Sequence, residues 1–133
     1  MLNPGKIVVV DSNPESGGLL VRTIVRKFPW CPIQLCEDAA TAVETITTEA
    51  VGAVVLHQGD DDCAIRSIQS LHRIDPDVPI VAMSGVDRSE RLFRAGAAGF
   101  LHYDDCLRIG SVVATLLQVH CGQRVDAELA EAV

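Results

Sequence analysis

Short apolar runs alternate along this chain with segments whose apolar residues recur every three or four positions, the pattern of strands interleaved with helices. The first run, Lys6-Ile-Val-Val-Val10, is rich in β-branched residues that suit a pleated sheet. A helix follows with clear start signals: Asn13 is a good N-cap, Pro14 suits the first helical position and Glu15 the positive end of the dipole. Leu20, Ile24 and Phe28 form its stripe. Beyond a proline-rich turn, Ile33 to Cys36 reads as a short edge strand, and Asp38 caps a second helix carrying Ala42, Val43 and Ile46. Gly52 to Leu56 is apolar throughout and reads as a central strand. A third helix places Ile65, Ile68 and Leu71 at helical spacing, and Asp75-Pro-Asp-Val-Pro79 ends it. A fourth strand spans Ile80 to Met83, a short fourth helix Asp87 to Ala95, a fifth strand Phe100 to Tyr103. A last helix shows Ile109, Val113, Leu116 and Leu117.

Five βα units in this order predict an α/β fold with a doubly wound, five-stranded parallel sheet of order 2-1-3-4-5, the flavodoxin-like arrangement. Ligands of such sheets sit beyond the carboxyl ends of the strands, where the winding reverses. Here that crevice lies between the first and third strands, and Asp11, Ser12 and His57 are delivered to it.

At 133 residues the chain is read as one domain over residues 1–121 with a tail at 122–133. The tail carries Val125, Leu129 and Val133 at i, i+4, i+8 with acids between them, which suits a helix or an amphipathic docking segment. A net charge of −7 makes phosphate attraction unfavourable, so direct nucleic-acid binding is not expected. No apolar run approaches the length of a membrane span and the N-terminus lacks a signal-peptide pattern, so a cytoplasmic location with no membrane association is expected. Five cysteines lack any paired spacing and read as buried or half-buried thiols.

Val8 to Pro14, Ser70 to Ser84 and Ala95 to Leu101 together resemble, over about residues 5 to 120, the receiver domain of bacterial two-component response regulators. Val8-Val-Val-Asp-Ser-Asn-Pro14 is similar to that family's opening strand with its acids and proline. Ser70-Leu-His-Arg-Ile-Asp-Pro-Asp-Val-Pro-Ile-Val-Ala-Met-Ser84 resembles its third helix and fourth strand. Ala95-Gly-Ala-Ala-Gly-Phe-Leu101 resembles its approach to the fifth strand. The resemblance implies a magnesium site on first-strand acids, a phosphoaccepting aspartate after the third strand and a lysine after the fifth. In this chain Asp11 is the only acid of the first pair, Ser12 stands at the second acidic position, His57 at the acceptor and Tyr103 at the lysine. Ser84 matches the hydroxyl position and Phe100 the switch aromatic. Both lysines, Lys6 and Lys27, are remote from the fifth strand.

Magnesium wants hard oxygen ligands, and an imidazole is a poor substitute. Phosphoryl transfer depends on positioning and charge stabilisation. The expectation is therefore a degenerate, pseudo-receiver domain: no enzyme, no cofactor, weak or absent magnesium binding, and a role in signalling by protein contact. Two alternatives stay open. Asp60, Asp61 or Asp62 could serve as a displaced phosphoacceptor, although three acids at a loop-to-helix junction also suit a helix cap. Asp11 and His57 could instead sense a metal or small ligand. Arg88, Arg91 and Arg94 recur on the fourth helix, which with the fifth strand and last helix is the surface receivers use for partners or for dimers.

Overall fold

The computed structural model describes residues 5–86 and 89–117. Arg88, Cys121 and the 122–133 tail lie outside the described residues. The elements are β1 Lys6–Asp11, α1 Pro14–Lys27, β2 Ile33–Cys36, α2 Ala39–Thr48, β3 Val51–His57, α3 Asp61–Ile74, β4 Ile80–Ser84, α4 Ser89–Ala95 and β5 Gly99–His102. A 3₁₀ segment, Tyr103–Arg108, leads into α5, described over 109–117. The five strands are parallel and ordered β2-β1-β3-β4-β5, the flavodoxin-like arrangement that the alternation of elements predicts.

Side-chain alternation divides the core into two layers. Val8, Val10, Val54, Leu56 and Ala82 pack with Ala42, Ile46, Ile68, Leu71 and Leu92 from α2, α3 and α4. Ile7, Val9, Val55, Val81, Met83 and Leu101 pack with Leu20 and Ile24 of α1 and Ile109, Val113 and Leu117 of α5. The central strands are thus apolar on both faces, which is why they read as continuous apolar runs. Each fully buried aliphatic side chain contributes about 2 kcal/mol.

Local capping follows the sequence closely. The Asn13 side chain accepts from the Glu15 N–H, Asp38 from Thr41 and Asp60 from Asp62, each capping its helix. In α2 the hydroxyls of Thr45, Thr47 and Thr48 turn back onto carbonyls of their own helix.

The fifth strand departs from expectation. It stops at His102, and Tyr103 opens the 3₁₀ segment because His102 Nδ1 accepts from the Asp104 N–H at 3.2 Å and turns the chain. β1, β3 and β4 instead run further than their apolar runs, to Asp11, His57 and Ser84. Ladder pairing with neighbouring strands carries these polar residues as the last rungs, with Asp11 beside His57 and Ser84 beside His102.

Two glycines fix how helices approach the sheet. A Cβ on Gly17 would lie 2.8 Å from Leu35 Cδ1 and 3.3 Å from Asp11 Cβ, so glycine lets α1 settle over the end of β1. Gly96 has φ +122°, and a Cβ there would meet His72 Nδ1 at 2.8 Å. Among the described residues, no helix is long and apolar enough to cross a membrane.

Candidate functional site

Asp11 ends β1 on the face covered by α1 and α5, the side of Ile7 and Val9. It is 4% exposed, and its carboxylate is surrounded by donors. The Asn13 N–H donates to Oδ1 at 2.9 Å, the Ser16 hydroxyl donates to Oδ2 at 2.5 Å, and His57 Nδ1 lies 2.9 Å from the same Oδ2. A carboxylate only accepts, so the imidazole hydrogen sits on Nδ1 and faces Asp11. This contact fixes the tautomer, leaving Nε2 as the nitrogen directed away from Asp11.

Tyr103 closes the other side of the imidazole. Its ring stacks on His57 with centroids 4.5 Å apart and planes 7° from parallel. Burial pushes the Tyr103 phenol up, the nearby Cys106 and Asp11 charges push the same way, and a hydrogen bond with Ser16 opposes them. Asp11, Ser16, Tyr103 and His57 therefore form a closed group linked by hydrogen bonds and a ring stack.

The candidate residues separate into those inside this group and those outside it. Asp11, His57 and Tyr103 come together. Ser12 does not join them; it is exposed in the turn before α1. Ser84 is buried, yet it follows Ala82 onto the opposite face of the sheet, and its hydroxyl accepts from the Val86 N–H at 3.2 Å. Phe100 is half-buried against the α2–α3–α4 core layer. Ser16 was absent from the sequence reading and belongs to the group. The signal for it was present: a hydroxyl in the first turn of a helix that starts immediately after the acid.

The acids after His57 serve another element. Asp60 caps α3, and Arg91 of α4 reaches across to Asp61 Oδ2 at 3.0 Å and Asp62 Oδ1 at 3.1 Å. Arg94 pairs with Glu90 at 2.6 Å. The described part of the basic stripe is thus already neutralised within the chain.

The magnesium ion that this fold family implies needs a cluster of hard oxygen donors with free lone pairs. The residues present do not fit it. One carboxylate stands at the strand ends, its two oxygens already take three hydrogen bonds, the exposed hydroxyl of Ser12 stands at the second acidic position, and an imidazole capped by a phenol ring occupies the acceptor position. Among the described residues, no group of three or more His, Cys, Asp or Glu side chains could hold a metal ion. The described cysteines are free thiols; Cys36 is buried, and burial pushes the Cys31 and Cys36 thiols up.

No protein-family model matches this sequence, and no curated protein matches it. Solved structures do. The CheY-like response regulator receiver domain of Methanospirillum hungatei superposes with TM-score 0.73 at 14% identity, covering 89% of this chain and 97% of that one. A LuxR-family two-component response regulator from Aurantimonas gives TM-score 0.73 at 20% identity, with coverage of 85% and 84%. The RcsB response regulator of Salmonella typhimurium gives TM-score 0.73 at 12% identity, and the match covers 88% of this chain and 61% of RcsB. At these identities the likeness establishes the shared fold.

Proposed function

We propose that this domain is a regulatory signalling module of receiver type that works by protein contact, without aspartyl phosphorylation and without a catalytic role of its own. The observation that carries this reading is the closed Asp11–Ser16–His57–Tyr103 group. At the place where a phosphorylated receiver needs an open carboxylate, a cation and a metal, this chain has an imidazole hydrogen-bonded to Asp11 and stacked on a phenol. Neither ring replaces the lysine ammonium that meets the transferred phosphoryl group in receivers.

Loss of phosphate chemistry leaves the packing of the fold available to protein partners, since any ligand with different affinity for two arrangements can bias them. The contact surface in this reading is α4, β5 and α5, for a regulatory partner or a second copy in the cytoplasm. With Arg91 and Arg94 engaged within the chain, the exposed Phe93 and Val86 offer the apolar part of that surface. A displaced acceptor at Asp60, Asp61 or Asp62 is opposed by their present duties: one caps α3 and two hold Arg91.

Incubation with acetyl phosphate and magnesium, followed by intact-mass measurement, tests the proposal. The expected spectrum is unchanged. A mass gain of one phosphoryl group that hydroxylamine removes, mapped to any aspartate, would overturn it.

A further inference from the structure

Away from the strand ends, α1 and the start of α5 border a groove of about 250 Å³, lined by Thr23, Arg26, Lys27, Leu107, Gly110 and Ser111. The helices approach closely here: a Cβ on Gly110 would lie 3.1 Å from Lys27 Cβ. Two features of the lining stand out on a chain of net charge −7. Arg26 and Lys27 put two adjacent cations at the groove and, like Arg22, Arg66, Arg73 and Arg108, have no ion-pair partner among the described residues. Leu107 is 71% exposed at the groove, an aliphatic side chain left in water beside two cations. A complementary occupant must carry apolar side chains at regular spacing with carboxylates between them.

One segment of this chain has that composition. Residues 123–133 place Val125, Leu129 and Val133 four apart, with Asp126, Glu128 and Glu131 between them and a single cation, Arg124. We infer that this segment docks in cis on the groove, its apolar stripe covering Leu107 and its acids meeting Arg26 and Lys27. Reach permits it. Leu117, anchored in the α1–α5 core layer, lies seven helical residues beyond Gly110, or about 10 Å along the axis. The nine residues from 118 to 126 extend to about 30 Å, so the chain has ample length to return.

The seated segment would cover the basic face of α1 in the resting chain, and a competing acidic partner would have to displace it. This surface shares α5 with the α4–β5–α5 surface of the proposed function but lies on its α1 side, and the inference stands without that reading.

Carbodiimide coupling of the full chain provides the test, because it joins a lysine amine to a carboxylate in contact with it and this sequence has only Lys6 and Lys27. The expected product is an amide between Lys27 and Asp126, Glu128 or Glu131 within one chain, formed at a yield independent of protein concentration. Arg26→Glu keeps Lys27 and every tail acid while reversing one charge; it should lower that yield about tenfold, from lost attraction and new repulsion. Leu129→Ser retains all the reacting groups and should lower it severalfold. Arg26 lies at the opposite end of α1 from Ser16 and the strand-end group, and circular dichroism of each variant confirms the fold. Lys27 coupling only to residues within 5–117, a product joining two chains, or yields unmoved by both substitutions would each overturn the proposal.

Discussion

Asp11 reaches His57 across the sheet, Asp61 and Asp62 follow it in sequence, and the protein treats these carboxylates differently. Asp11 is buried, and its partners are an amide, a hydroxyl and an imidazole, all short groups held by the backbone around them. Asp61 and Asp62 sit in the first turn of α3 and share a long guanidinium from α4, which is itself more than half exposed. A phosphoryl site needs carboxylates, metal and cation in one place. This chain has an acid without a fixed cation at the strand ends, and acids with a cation one loop away. The contrast shows that acids and a cation can lie close along the chain without converging on one site.

The sharpest way to break this comparison is to remove Asp11. Asp11→Ala leaves three donors facing a buried gap and should cost about 3 kcal/mol, read as a lower denaturation midpoint with an unchanged slope. A loss below about 1 kcal/mol would mean that the buried acid is no more integrated than the exposed ones.

Replacing the imidazole by a second acid should have a smaller effect. His57→Asp sets two carboxylates against each other and should cost about 2 kcal/mol at neutral pH. The repulsion raises a folded-state carboxyl pKa, so the loss applies above the ordinary carboxylate range and shrinks as the pH falls through it. Paired with Ser12→Asp, millimolar magnesium should recover part of the loss; thermal melts with and without the ion report it. No recovery would show that more than the ligand set has been lost.

The phenol gives a third handle. Tyr103 is the only tyrosine, so an absorbance titration of tyrosinate reads it alone. Its midpoint should lie above the ordinary value of about 10. Because the folded-state value is raised, the contribution of the neutral phenol is complete below that ordinary value and is lost as pH climbs through the folded one. An unshifted midpoint would mean that the ring is not held against His57.

The smallest effect belongs to the exposed pair: Arg91→Ala should cost less than about 1 kcal/mol, and half-molar salt should remove most of the difference. A larger, salt-insensitive loss would make the α3–α4 contact the equal of the buried one.

The sheet order and caps were legible because they rest on local chemistry: β-branched runs for β1 and β3, and Asn13, Asp38 and Asp60 before helices. The membership of the strand-end group was legible only in part. Aligning positions to a family put Ser12 and Ser84 beside Asp11, whereas the period-two alternation of a strand sends Ser84 with Ala82 to the opposite face. Counting faces from Val9, Val55 and Leu101 selects Asp11, His57 and Tyr103, and the first turn of α1 then supplies Ser16. The end of β5 was misplaced by one residue because a histidine cap on a 3₁₀ turn has no hydrophobic signature.

The threonine-laden second helix has a consequence for motion. Its hydroxyls compete for the carbonyls that should hold its own amides, it buries only Ala42, Thr45 and Ile46, and it packs beside the four-residue strand at the margin of the sheet. Protection against deuterium should fade there first, so that this corner breathes while the three inner strands keep their protons until the whole domain opens.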